Sequence, residues 1–243
     1  MNESLNDKNT SPFSYSEFTP VIPRRNRKNK PQQVRPPLSV LVQRTRDEMS
    51  NDVWFSQCQS IIRESLKPFP NEPSSFSVLC LGLGSPSASA ISRTQLAFLM
   101  ELCLALNIGY ANVSLYDPIF STEDLELFEE LRFQILPENR NGGYPLQNPT
   151  ICYMPHCDME LYDNLLRVND PHDHLLMPIL LANHLMDYLE NNSHDKLRVR
   201  VPDLFKIAPL LQSRSLPPST AWPAAFNNTS VQCLLPADTL SGD

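Results

Sequence analysis

The stretch Phe76 to Ser85, FSVLCLGLGS, restricts the fold more than any other part of the chain: an unbroken apolar run stops abruptly at Gly82, Gly84 and Ser85. A strand without polar alternation must be covered on both faces, the condition met by a parallel sheet with helices on either side. Two glycines at its end predict a tight turn into the next helix. In open α/β sheets, ligands bind at the carboxyl ends of such strands.

The remaining segments alternate as that arrangement requires. Apolar residues recur at three- and four-residue steps over residues 38–66, predicting one or two amphipathic helices that Pro68 and Pro70 stop. The body from Ile91 to Leu106 is apolar on nearly every face, which predicts a buried helix. Val113 and Leu115 alternate in a second strand, and Pro118 holds Asp117 extended at its end. Ser121 with Asp124 three residues on has the form of a capping box, ahead of a helix with Leu125, Phe128 and Leu131 on one face. A third strand over residues 133–136 and a fourth over 150–154 follow, the fourth ending in Pro155, His156, Cys157 and Asp158. The helix after it groups Leu161, Leu165 and Val168. LLMPILLANHL, bearing Pro178, suits a fifth strand ending near Asn183 with a short helix through Tyr188, or else a kinked helix. PDLFKIAPLLQS predicts a surface helix broken at Pro209, and AAFNNTSVQCLLP a last strand with Val231, Cys233 and Leu235 on one face.

Strands alternating with helices imply right-handed crossovers. The expected fold class is therefore α/β: a doubly wound, mostly parallel, Rossmann-like sheet in a single domain over residues 38–243. Residues 1–37 are polar and Pro-rich, with Arg24, Arg25, Arg27, Lys28 and Lys30 clustered, and are expected to form a disordered basic tail.

The charge is divided in the same way. Residues 1–36 carry seven Lys/Arg against three Asp/Glu, and the remainder thirteen against twenty-four. An acidic body argues against a nucleic-acid surface on the folded domain, since such binding neutralises phosphates. The basic cluster is an import signal, a docking site for an acidic partner, or a plain solvated tail. No stretch approaches the ~18 apolar residues of a membrane span, and the start lacks the pattern of a secretory signal. No membrane association and an intracellular place are expected. The six scattered cysteines contain no Cys-x-x-Cys pair and read as reduced thiols. His172 and His174 lack a third and fourth ligand, so no metal is expected.

Gly82, Gly84, Ser85, Asp117 and Asn183 are the candidate cofactor-binding residues, and His156, Cys157 and Glu138 the candidate catalytic ones. The fit to a dinucleotide fingerprint is partial. No third glycine follows, and Asp117 lies 33 residues after Gly84 where ~20 is usual for a ribose-binding acid. No Gly-Lys-Ser/Thr makes a P-loop. The turn either cradles a ligand or satisfies strand-helix packing alone. Asp117, Glu138, His156 and Asn183 fall at the ends of successive expected strands, so they converge on one crevice. His156 and Cys157 suggest a base and nucleophile, or metal ligands, but neighbours on a strand point to opposite faces. No Gly-x-Ser-x-Gly or His-Glu-x-x-His is present, so the residues complete no catalytic motif and name no cofactor.

The pieces VLCLGLGSPS, QLAFL, LYDPIF, the Glu138 to Gly142 segment, YMPHCDMELYDNLL and FNNTSV resemble the Sensitivity to Red Light Reduced family, or SRR-like domain. VIPRR resembles that family's basic prelude. The likeness runs from about Leu38 to the carboxyl terminus; Asn183-His-Leu stands where the family usually has Gly-Asn-Ser. The resemblance implies a regulatory protein of cytoplasm and nucleus concerned with biological rhythms. Plant members are tied to light signalling and circadian clock input, fungal relatives to resistance to a microtubule drug, and animal relatives to haem-linked regulation. Two expectations follow: a regulator offering its crevice or surface to a protein partner or small molecule, or an enzyme using a nucleotide-type cofactor, such as an S-adenosylmethionine-dependent transferase.

Overall fold

The structure, a computed structural model, describes residues 35–170 and 178–235. The expected tail, apart from its last three residues, and the pair His172 and His174 lie outside the described residues. Seven strands among these residues form one sheet: β1 (Ser77–Leu81), β2 (Val113–Tyr116), β3 (Gln134–Ile135), β4 (Thr150–Met154), β5 (Ile179–Asn183), β6 (Gln212–Ser215) and β7 (Thr229–Cys233). Their order is β3-β2-β1-β4-β5-β7-β6. The first five run parallel, and β7 runs antiparallel to both β5 and β6. The chain is thus α/β with a mostly parallel sheet.

The period-2 alternation of the strands divides the core. Val78, Cys80, Val113, Leu115, Ile151, Tyr153, Leu181 and Val231 face one layer with α1 (Leu38–Ser50), α2 (Val53–Leu66), α3 (Ala90–Leu106), α4 (Thr122–Glu130) and α9 (Pro223–Phe226). The intervening Leu79, Leu81, Cys152, Met154, Leu180 and Ala182 face the other, with α5 (Met159–Val168), α6 (Leu185–Glu190), α7 (His194–Arg200) and α8 (Pro202–Ile207). This is why β1 and β4 are apolar at almost every position: they lie next to each other, with side chains packed on both sides.

Helix α3 begins at Ser89, whose hydroxyl accepts the Ser92 N–H, and stops at Asn107 in the left-handed region (φ 57°). Its middle is buried on all sides, from Leu96 to Cys103. The capping box at α4 forms as expected, Asp124 accepting the Ser121 N–H at 2.8 Å while its own N–H reaches Ser121 Oγ. LLMPILLANHL resolves in favour of the strand: β5 ends at Asn183 and α6 follows.

Other elements differ from expectation. β6, QSRS, pairs along one side only and its residues are largely exposed, so no apolar pattern announces it. Helices α7 and α9 also lack a long periodic run. Helix α8 is no mere surface helix: Leu204 and Ile207 are buried, and Asp163 on α5 accepts the N–H groups of Asp203 and Leu204 at 2.8 and 2.9 Å, capping its start. The connection from β3 to β4, residues 136–149, contains no helix and lies over the β1–β2 half of the second face, where a groove is lined by Leu79, Ser114, Leu136 and Leu146. Among the described residues no helix is long and apolar enough to cross a membrane.

Candidate functional site

Where β1 ends, Gly82 and Gly84 both take positive φ, 68° and 72°, conformations open to glycine at little cost. Both positions are also crowded. A Cβ on Gly82 would overlap Cys157 Sγ, and one on Gly84 would lie 2.5 Å from Ser92 Oγ. Strand-helix packing therefore accounts for part of the turn.

At the level end of β2 stands Asp117. Its Oδ2 accepts the Gly84 N–H at 2.8 Å and its Oδ1 the Ile119 N–H at 3.0 Å. The carboxylate is thus held against the glycine turn by two backbone donors. Ser85 faces elsewhere: it is buried, and its hydroxyl donates to Asp124 at 2.5 Å. Asp124 also receives Ser87 N at 2.7 Å. Burial alone would raise its carboxyl, but the hydrogen bonds from Ser85, Ser121 and Ser87 outweigh this and hold it below its ordinary value.

At the end of β4, Cys157 is buried and its thiol donates to the Leu81 carbonyl at 3.3 Å. Burial, and then the charges of Asp117 and Asp158, push the thiol up to about 12, so it is not a thiolate at neutral pH. His156 is exposed and adopts φ 55°. Its Nε2 lies 3.1 Å from the Ala225 carbonyl, and its N–H donates to Asn183 Oδ1 at 3.2 Å. Asn183 Nδ2 in turn donates to Tyr188 Oη at 2.9 Å, and Tyr188 donates to the Cys157 carbonyl at 3.0 Å. Ring and thiol of adjacent residues serve different surroundings. Glu138 carries an exposed carboxylate 3.5 Å from Arg140, and only its carbonyl, bonded by Tyr144 Oη at 2.6 Å, enters the local framework.

Two places result. A cleft of about 120 Å³ opens beside the glycine turn, walled by Leu81, Gly82, Tyr116, Pro118 and Leu161 and by Asn139, Asn141, Gly142 and Tyr144 of the β3–β4 connection. The His156, Asn183 and Tyr188 network closes the ends of β4 and β5. Gly82 lines the first, with Gly84 and Asp117 bonded to each other at the same turn but outside its walls, and His156 and Asn183 meet at the second; the Glu138 carboxylate and Ser85 hydroxyl join neither.

Tyr116, Tyr144, Leu161 and Tyr188 are not site candidates in the sequence, where Leu161 and Tyr188 enter only as helix residues. Tyr116 had the one usable signal, as the neighbour of Asp117. Tyr144 is set by a long-range bond and a local one: Asn169, buried at the C-terminal cap of α5, donates to its carbonyl at 3.0 Å, and the Arg140 guanidinium lies 5.9 Å from its ring centre. Among the described residues no group of three or more His, Cys, Asp or Glu is placed to hold a metal.

Known proteins resemble this chain in sequence. The SRR1 domain matches residues 59–233. The SRR1-like protein of Mus musculus is 29% identical over 150 residues, 61% of this chain and 60% of that protein. Protein SENSITIVITY TO RED LIGHT REDUCED 1 of Arabidopsis thaliana is 30% identical over 114 residues, 47% of this chain and 42% of that one. An SRR1-like protein of Drosophila melanogaster is 30% identical over 106 residues, covering 44% and 38%. The chain thus spans less than two thirds of the length of each of these relatives. The matched region runs from within α2 to the end of β7 and holds the glycine turn, Asp117, His156 and Asn183; the chain belongs to the SRR1 domain family.

Proposed function

We propose that this SRR1-family protein regulates signalling, in the direction of the red-light response to which the Arabidopsis relative's name points and of clock input, and does so by binding a small molecule in its crevice. The frame for it is a doubly wound, Rossmann-like sheet whose order from β3 to β5 reverses between β1 and β4, the place where such sheets bind ligands. β7, inserted in reverse beside β5, departs from the plain form of that order. The cytoplasm and nucleus are its proposed places of action.

One observation carries the choice of binding over chemistry. The groups a reaction would use are apart or engaged: the Cys157 thiol is raised to about 12 and bonded to Leu81, and His156 sits against a backbone carbonyl. By contrast, Gly82 and the apolar and aromatic side chains around it wall a cleft. A second reading, an enzyme holding a nucleotide-type cofactor such as S-adenosylmethionine, is favoured by the contact of Asp117 with the glycine turn.

Thermal denaturation with S-adenosylmethionine, nicotinamide cofactors, nucleotides and haem tests the crevice. A ligand at a hundred times its dissociation constant adds about 2.7 kcal/mol, a rise on the order of 5–10 °C for a chain of this size. A shift with at least one of them is expected, and no shift with any contradicts the proposal. Conversion of the bound compound, followed by mass spectrometry, would instead favour the enzyme.

A further inference from the structure

Resting on the crevice reading above, the geometry points to a small aromatic carboxylate as the ligand, with its ring in the cleft beside Gly82 and its carboxylate on the guanidinium of Arg140 at the rim. The size of the cleft is the first reason. Pockets that enclose a whole drug-sized molecule run to about 300–1,000 Å³, whereas this one holds about 120 Å³. It takes one ring system. The walls suit a flat ring, since Leu81, Pro118 and Leu161 are apolar and Tyr116 and Tyr144 are aromatic.

The rim supplies the charge. Asn139 and Asn141 both line the cleft, and Arg140 stands between them in the chain with its guanidinium carbon 5.9 Å from the ring centre of Tyr144, which lines the cleft too. Ring site and cation therefore meet at Tyr144. None of the lining side chains is itself charged.

The protein uses little of what this arginine can offer. Its ionic contact is with Glu138, Nε to Oε2 at 3.5 Å, and both side chains are exposed, which makes the pair weak. Glu138 and the Tyr144 ring are the only groups the guanidinium meets among the described residues. Arg46 and Arg93, by contrast, donate to the Glu101 carboxylate at 2.7 Å and the Pro86 carbonyl at 2.8 Å. A planar guanidinium with unused N–H groups is matched by a carboxylate, which accepts two of them side by side. Asn139 adds a further donor. Its Oδ1 accepts the Asn141 N–H at 2.9 Å, which fixes the carboxamide, and its Nδ2 donates to no described group.

The rim is set before a ligand arrives. Tyr144 Oη donates to the Glu138 carbonyl at 2.6 Å and accepts the Arg140 N–H at 3.3 Å, and Asn164 Nδ2 donates to the Asn141 carbonyl at 2.7 Å. Gly142 lies so close to α5 that a Cβ there would overlap the Leu161 carbonyl oxygen. Such preorganisation lowers the cost of binding. A carboxylate is favoured over a phosphate, because phosphate sites in these sheets draw on backbone N–H groups at the glycine turn, and here the Gly84 N–H is committed to Asp117.

Calorimetric titration of the full chain with phenylacetate, its neutral isostere phenylacetamide, the cation phenethylamine and phenyl phosphate decides it. Phenylacetate is expected to bind about fivefold more tightly than the amide, with phenethylamine the weakest of the four. Arg140→Gln should erase the preference for the acid and leave the amide as it was. Glu138→Gln should tighten the acid alone, by about two- to threefold. Both side chains are exposed, so neither change threatens the fold. Acid and amide binding alike, phenethylamine or phenyl phosphate as the tightest ligand, or a preference that survives Arg140→Gln would overturn the inference. If no phenyl compound binds while a cofactor, nucleotide or haem still raises the melting temperature, this inference falls alone; if nothing binds, the crevice reading falls with it.

Discussion

Gly82→Ala is expected to lower the free energy of unfolding by about 2–5 kcal/mol. Two costs combine. An L-residue at φ 68° costs roughly 1–2 kcal/mol, and forcing a methyl into a filled site costs about 1–3 kcal/mol more. The new Cβ would overlap Cys157 Sγ, and that sulfur is held in place by its bond to the Leu81 carbonyl. A double-mutant cycle separates the two costs. With Cys157→Ala in the background the collision disappears and only the backbone cost remains, so the double variant should be more stable than the two single losses predict by roughly 1–3 kcal/mol. Strict additivity in urea denaturation would show that the thiol does not fill the space behind the turn.

Asp124→Ala should be nearly as damaging, at about 3–5 kcal/mol, because each buried donor left without a partner costs roughly 1–3 kcal/mol and a lost helix cap about 1 kcal/mol. Asp124 is wholly buried and collects Ser85 Oγ, Ser87 N, Ser121 N and Ser121 Oγ, tying the turn after β1 to the start of α4. The sign of its pH dependence follows from the lowered folded value. A carboxyl depressed by folding contributes stability that is complete above its unfolded value and is lost as pH falls through the folded one. The excess stability of wild type over Asp124→Asn should therefore be constant from pH 7 to about 5 and shrink below the ordinary value of 3.8. Urea denaturation at steps from pH 7 to 3 measures it. An excess that grew on acidification would mean that folding raises the carboxyl instead.

The two variants act on the same turn after β1, Gly82 within it and Asp124 through its bonds to Ser85 and Ser87, and they illustrate what could be read before the structure. β1, β4 and β5 were legible as apolar runs bounded by Gly, Pro or a polar turn, and β2 by the alternation of Val113 and Leu115. The capping box at Ser121 and Asp124 was also legible, being local. What Asp124 does for Ser85 and Ser87 was not, since those bonds join segments 37 and 39 residues apart.

The separation of Asp117 from Gly84 looked too long for partners in one site. The structure explains the length: α3 runs for 17 residues and a 3₁₀ turn at Tyr110–Asn112 follows, after which β2 returns in parallel with Leu81 level with Tyr116. Spacing along the chain was a poor guide because the crossover helix is long, while strand register brought the ends together. β6 stayed hidden for a different reason. An exposed edge strand with polar side chains needs no apolar alternation, and its partner β7 alone defines it. Tyr144 and Leu161 could not be paired from the sequence, because the loop bearing Tyr144 is anchored through the amide of Asn169 at the C-terminal cap of α5.

Hydrogen–deuterium exchange with and without saturating S-adenosylmethionine or phenylacetate tests the binding crevice most directly. Slowed exchange is expected at residues 82–84, 117–119 and 139–144, with α7 and β6 unchanged. Protection confined to α7, β6 or the outer face of α1, with the turn and the β3–β4 connection unaffected, would contradict a ligand site at the carboxyl ends of β1 and β2.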